Sequence, residues 1–322
     1  MKLATFTKAG AAPRIGAVDP ETRTIRDLQQ GHVDATGAES PIFVDMIALM
    51  NAGEVGLAAA ARAAEKAPTL PLDDVRLLAP VPLPPQIRDF SCFEKHLRGA
   101  PAGMTVLKAR LAGEPVPDIA KIDIPLTPIY VDQPIWYISN RFNVVGHETQ
   151  IEWPVYSDYL DFELEFGIFI GRGGKNISRA DAGRHVFGYC LFNDFSARDQ
   201  QGREMSGFMG PTKGKSFDTG NVIGPWIVTA DEIGDIQGRK ACVRVNGEVW
   251  ASSTTSNMMH TFEDMIAFVS RSETLHVGEF FGSGTIGGCC GLEMDRWLKD
   301  GDVVELDIEG LGVLRNRVVR SR

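Results

Sequence analysis

The stretch "LDFELEFGIFIG" at residues 160–171 sets Asp161, Glu163 and Glu165 at every second position among aliphatic and aromatic residues. A strand sends alternate side chains to opposite faces, so the three acids share one face and Leu160, Phe162, Leu164, Phe166, Ile168 and Ile170 the other. Such alternation fits a wetted sheet face. It equally fits carboxylates set to converge on a cation, because like charges about 7 Å apart along a strand repel. Asp194 ends the apolar run in "YCLFNDFSARD" (189–199), either as a functional group at a strand end or as part of a plain turn. Three or four carboxylates, without a thiolate and with few histidines nearby, describe a site for a hard cation, Mg, Mn or Ca rather than zinc.

Two further segments offer partners for that chemistry. In "RDFSCFEKH" (88–96), Asp89 and His96 lie seven apart, on one face if the piece is helical, and His96 is one of only six histidines. Near carboxylates it suits a general base, although a lone histidine is also a common structural residue. Lys215 in "GKSFDTGN" is an electrophilic candidate or an ordinary exposed loop lysine. "GSGTIGG" (282–288) is a flexible loop whose Thr285 contacts a ligand or merely turns the chain. Nucleotide motifs fail: "GPTKGKS" has three residues between Gly210 and Gly214 where a phosphate loop needs four, and "GRGGKN" lacks the third glycine of a dinucleotide fingerprint.

Elements must position these residues. Residues 1–75 read as a small α/β module: "KLATFT" and "RIGAVD" alternate as strands, and "SPIFVDMIALMNAG" carries Ser40 as a helix cap, Pro41 at the first helical position and Gly53 as a stop. A second short helix is expected over 57–67. Prolines at 68, 71, 80, 82, 84 and 85 mark a connector or extended edge, where the domain boundary is placed. Residues 76–322 are mostly short strands with Gly, Asn and Asp turns, including a hairpin at Asn246-Gly247 and a helix opened by Thr261 and Asp264. "GDVVELDIEGLGVLRNRVV" closes the chain as a strand pair. The class is β-rich α+β.

Composition excludes several functions. A net charge of −9 disfavours nucleic acid, and no apolar run reaches the roughly 18 residues needed to span a bilayer. Without a signal-peptide core at "MKLATFTKAG", the cytoplasm is the expected location. Five cysteines, two of them adjacent at 289 and 290, suit reduced core or loop thiols, and no Cys/His spacing points to zinc.

In this order, "RDFSCFEKH", "LDFELEFGIFIG", "LFNDFSARDQQ", "GKSFDTGNVIGPW", "GSGTIGG" and "LKDGDVVELDIEGLGVLRNRVV" closely resemble the fumarylacetoacetate hydrolase family over roughly residues 75–322. The resemblance implies a mixed β-sheet roll, a homodimer, and a divalent cation (Mg2+, Mn2+ or Ca2+) held by Asp89, Glu163, Glu165 and Asp194. It implies His96 as the base that activates water and Lys215 as a catalytic cation, with Tyr137, Gln201, Thr219 and Thr285 at substrate-contact positions. The implied reaction is carbon-carbon hydrolysis of a small 1,3-dicarbonyl or 2-oxo acid such as an acylpyruvate. Decarboxylation, isomerisation, hydration or lyase chemistry on the same site is the alternative, and a catalytically silent binder a third. Two departures stand out: Met205 and a slightly longer loop replace a substrate-contacting tyrosine, and the acid that orients His96 is Glu94 or Glu293. Asp161 receives no ligand role and is left facing water, while residues 97–135 form a lid or an insertion.

Overall fold

A computed structural model describes residues 1–8 and 10–320. The period-two segments near the start form the antiparallel strands Lys2–Thr7 and Arg14–Asp19. The helix expected from Ser40 to Gly53 is divided. Ser40 caps a short 3-10 turn, Pro41–Phe43, and Asp45 accepts from the Ala48 N–H to open a separate helix, Met46–Asn51. A second capping side chain inside the segment competes with helix continuation. Gly53 takes the left-handed φ of 56° and starts Gly53–Lys66 instead of ending its predecessor. The proline-rich connector supplies an edge strand, Thr69–Pro71, as its lack of backbone donors requires.

Among the described residues the main sheet has 12 strands, ten of them along one path and two, Arg76–Leu77 and Val144–Val145, off it. Its path runs Thr69–Pro71, Thr24–Asp27, Arg14–Asp19, Lys2–Thr7, Asn221–Thr229, Val186–Asp194, Leu164–Ile170, Phe280–Gly282, Ile87–Phe90 and Trp136–Ile138. It therefore runs through the boundary expected near residue 75, since Lys2–Thr7 pairs directly with Asn221–Thr229. A second sheet of five strands holds the Asn246-Gly247 hairpin and the closing pair Val303–Ile308 and Gly312–Arg320. Both hairpin residues have positive φ, 52° and 80°, as a type I′ turn demands. Thr261 and Asp264 form a reciprocal capping box at Phe262–Val269. The architecture is strand-rich α+β with mixed sheets, and both faces of Leu164–Ile170 are buried.

Residues 97–135 begin within a 19-residue helix, Glu94–Ala112, which Gly99, Pro101 and Gly103 disguise in sequence. Gly103 is needed there because a Cβ would lie 2.2 Å from the Leu292 carbonyl oxygen of the short helix Gly291–Met294. All five cysteines are free, and among the described residues no helix is long and apolar enough to cross a membrane.

Candidate active site

Register across the main sheet builds the site. Cys190, Gly167, Gly282, Asp89 and Tyr137 are aligned neighbours on five consecutive strands, so their side chains share one face. Glu165 and Asp194 lie an even number of residues from Gly167 and Cys190 and join that face. Phe192, directly opposite Glu165, borders the acids, and Phe169, Phe280 and Ile87 continue from it as an apolar cluster at the other end. Gly282 makes room for the carboxylate, since a Cβ there would lie 2.5 Å from Asp89 Oδ1. Asp89 thus sits on a strand, Ile87–Phe90, and not on a helical face with His96. The helix begins only at Glu94, yet both side chains line the same pocket.

Asp89, Glu165 and Asp194 each offer a carboxylate oxygen, all three within 4.8 Å of one another. Asp89 Oδ1, Glu165 Oε2 and Asp194 Oδ1 are buried and have no hydrogen-bond partner among the described residues. Burial first, and then repulsion from neighbouring acids that include Glu163, push all three carboxyls above the ordinary range. Oxygen donors that are buried, unpartnered and repelling fit a hard divalent cation. Glu163 stands beside them in a different environment: Oε2 receives Lys215 Nζ, and Oε1 lies 2.7 Å from Arg198 Nη2. Burial would raise the Glu163 carboxyl, but Arg198 and Lys215 outweigh it and hold the group well below the usual range. Lys215 is buried, not an exposed loop residue, and it donates to Glu163 and to both a carboxylate and a backbone oxygen of Asp194. Burial opposes its charge, and the two acids more than compensate, raising its pKa.

His96 is oriented by Glu293 and not by Glu94. Glu293 Oε2 accepts from His96 Nδ1 at 3.1 Å, whereas Glu94 accepts from Arg98 on the outer side of the helix. Burial lowers the imidazole pKa, but Glu293 outweighs it and holds it above the ordinary value. Nε2 is left facing the acids, 3.9 Å from Glu163 Oε1. The same Glu293 oxygen takes the Cys290 thiol at 3.2 Å, and the Gly288 N–H donates to both carboxylate oxygens.

Asp161 does not face water. It is fully buried, accepts from Arg198 Nε at 2.8 Å, and takes the Gly291 and Leu292 N–H groups at 2.7 and 2.9 Å. It ties the turn that carries Glu293 to the arginine that holds Glu163.

A cavity of about 210 Å³ opens over this face, lined by residues that include Asp89, His96, Glu163, Glu165 and Lys215. Tyr137, Gln201 and Thr285 also line it: Tyr137 donates to Asp194 Oδ2 at 2.5 Å, Thr285 to Glu165 at 3.2 Å, and Gln201 accepts from Arg198 Nη1 at 2.9 Å. Thr219 is not among the lining residues. Its hydroxyl accepts from the Glu152 N–H on a neighbouring strand. Sequence reasoning gave no role to Ser91, although it lies within "RDFSCFEKH", and missed Tyr130, Ile135 and Trp136, which line the cavity from the short helix Ile129–Asp132, a loop and an edge strand with no motif to mark them. It also left Arg198 without a role, although an arginine set between acids in "NDFSARD" was a signal.

Residues 104–319 match the fumarylacetoacetate (FAA) hydrolase C-terminal family. The chain is a member of the fumarylacetoacetate hydrolase family. Among curated relatives, the mitochondrial oxaloacetate tautomerase FAHD2A of Bos taurus is 34% identical over 293 residues, covering 90% of this chain and 84% of that one. Oxaloacetate tautomerase YisK of Bacillus subtilis (strain 168) is 31% identical over 249 residues, covering 77% and 74%. A fumarylacetoacetate hydrolase from Exiguobacterium antarcticum superposes with a TM-score of 0.72 at 28% identity, and the match covers 100% of both chains. Within this family, the acid cluster and the His96–Glu293 pair are the features that bear on chemistry.

Proposed function

We propose that this chain is a divalent-metal-dependent enzyme that interconverts the keto and enol forms of a 2-oxo acid. The observation that carries the proposal is the convergence of three buried, unpartnered carboxylate oxygens beside the free nitrogen of an oriented histidine. Asp89, Glu165 and Asp194 would hold the cation, Mg2+, Mn2+ or Ca2+, with Glu163 beside them as the fourth acid. When bound, such an ion supplies Lewis acidity to the oxygens of a 2-oxo acid. His96 Nε2 takes the proton from the carbon next to the ketone and returns it to the enol oxygen, so that atoms and charge balance over the cycle. Glu293 fixes the tautomer that leaves Nε2 free. Lys215 lends positive charge to the pocket it lines, keeps Glu163 ionised and opposes the rise that burial imposes on Asp194. The two curated tautomerases support this reaction.

A second reading, hydrolysis of a carbon-carbon bond in a 1,3-diketo acid, is favoured by the same His96–Glu293 geometry, since an oriented imidazole can equally take a proton from water. The homodimer belongs to the proposal and is read from light scattering of the purified chain. One experiment tests both reactions. With Mg2+ or Mn2+ present, enol absorbance of 2-oxo acids and acylpyruvates is followed and the products are identified. Accelerated ketonisation without new acids indicates tautomerisation; two acids indicate hydrolysis. His96→Ala should lower either rate by about 10²–10⁴-fold while metal affinity measured by calorimetry is retained. Unchanged turnover in that variant refutes the base assignment.

A further inference from the structure

We infer that His96, Cys290 and Glu293 form a second cation site, selective for a thiophilic divalent ion of the Zn2+ class, and that filling it switches the enzyme off. Binding stands on the three side chains alone, whereas the effect on turnover rests on the reading of His96 as the base.

A ring nitrogen of His96, the Cys290 sulfur and a carboxylate oxygen of Glu293 all lie within 4.8 Å of one another. Nδ1 is 3.1 Å and Sγ 3.2 Å from the same oxygen, Oε2. A tetrahedral Zn2+ with bonds of about 2.0–2.3 Å holds such ligands about 3.4–3.6 Å apart, so the ion can replace the two bridging protons after the trio spreads by a few tenths of an ångström. One imidazole, one thiolate and one carboxylate suit Zn2+ or Cd2+, whereas Mg2+ takes oxygen ligands. The trio therefore differs in kind from the all-oxygen cluster of Asp89, Glu165 and Asp194. Its side chains are enclosed, His96 and Glu293 14% and 5% exposed and Cys290 not at all. With two anionic ligands the filled site is neutral, which limits the cost of burying the ion and its repulsion of a cation in the acid cluster. Cys290 caps the short helix Gly291–Met294 that carries Glu293, 197 residues from His96, so no spacing in the sequence announces the set.

The consequence follows from where the protons go. In the empty site Nδ1–H and the thiol both donate to Glu293, and Nε2 keeps the lone pair that faces the acids. Zn2+ takes Nδ1, the thiolate and the Glu293 oxygen. The thiol proton leaves to water and the imidazole proton moves from Nδ1 to Nε2, so one proton is released for each ion bound and charge balances. Nε2 then holds a proton for as long as the ion stays, and it can no longer take one from substrate. Of the trio only His96 lines the cavity, so an entering ion must pass the imidazole. His96 sits in the first turn of Glu94–Ala112, whose N-terminus has no side-chain cap, and this is the part of the helix freest to give. Filling is thus slower than loading of the acid cluster, whose Asp89 and Glu165 line the cavity directly.

The test loads the protein with Mn2+ and then titrates it with Cd2+, whose bond to a thiolate absorbs in the near ultraviolet. The band should saturate at one equivalent. Zn2+ added in the same way should slow ketonisation of a 2-oxo acid enol by about 10²-fold at saturation, the loss expected of a blocked general base. Chelation followed by fresh Mn2+ should restore the rate. Cys290→Ser, which keeps a donor to Glu293, should lose the band and need about tenfold or more Zn2+ for the same fractional loss of its own rate. Cys290→Ala repeats the measurement should the serine variant fail to fold; both keep the other four cysteines. No band in the wild type, or a band that persists in the variants, overturns the site. A Cys290-dependent band with turnover unchanged overturns the switch. If no enol is accelerated before Zn2+ is added, the 2-oxo acid reading fails while the band still decides the site.

Discussion

Asp161 shows how a residue without a catalytic atom can decide whether a site assembles. Its carboxylate collects one guanidinium and two backbone N–H groups from distant parts of the chain, and it is fully buried. Asp161→Asn keeps the shape but removes the charge that offsets Arg198. Breaking a buried pair in this way should cost about 3 kcal/mol or more in urea denaturation. It should also loosen His96, because Glu293 follows in the turn that Asp161 holds. A variant with wild-type stability would show that Arg198 is satisfied by Glu163 alone. None of this was legible in "LDFELEFGIFIG", because alternation tells which side chains share a face and not whether that face meets water. The choice of Glu293 over Glu94 was equally hidden, since it depends on a contact between residues 197 apart in sequence.

Elements whose signals are local were legible. The Asn246-Gly247 turn and the Thr261/Asp264 cap each depend on neighbours within a few residues, and both form as their sequences require. The helix Glu94–Ala112 was not, because its glycines and proline read as breakers while its real determinant is packing on Leu292. Gly103→Val would drive a branched side chain into the Leu292 backbone, where even a Cβ comes within 2.2 Å of the carbonyl oxygen. We expect a loss of about 3 kcal/mol in stability, at the upper end for overpacking. Because this helix also carries His96, turnover should fall further than the folded fraction does. Substitution of the half-buried Arg98, which pairs with Glu94 and donates to the Ile124 carbonyl, should change stability less by comparison.

Across the whole molecule, the acid cluster couples cation binding to folding. In the absence of an ion, three carboxylates are buried against one another, a cost that the unfolded chain does not bear. Chelation should therefore lower the melting temperature, and saturating Mn2+ or Mg2+ should raise it. At a hundredfold excess over Kd the gain is about 2.7 kcal/mol. A melting curve indifferent to both treatments would show that the cluster holds no ion. The sheet spreads this coupling widely, since the first strand of the chain pairs with the strand next to the one that ends in Asp194. The paired glycines at 167 and 282, set in the row that leads to Asp89, carry a different consequence, one for how such a protein diverges. An acid in the cluster can become an amide of the same size, so activity can be lost in one step with the scaffold intact. Any side chain at 282 must instead displace Asp89. Descendants that abandon the chemistry should therefore keep the empty space after the charges that once used it are gone.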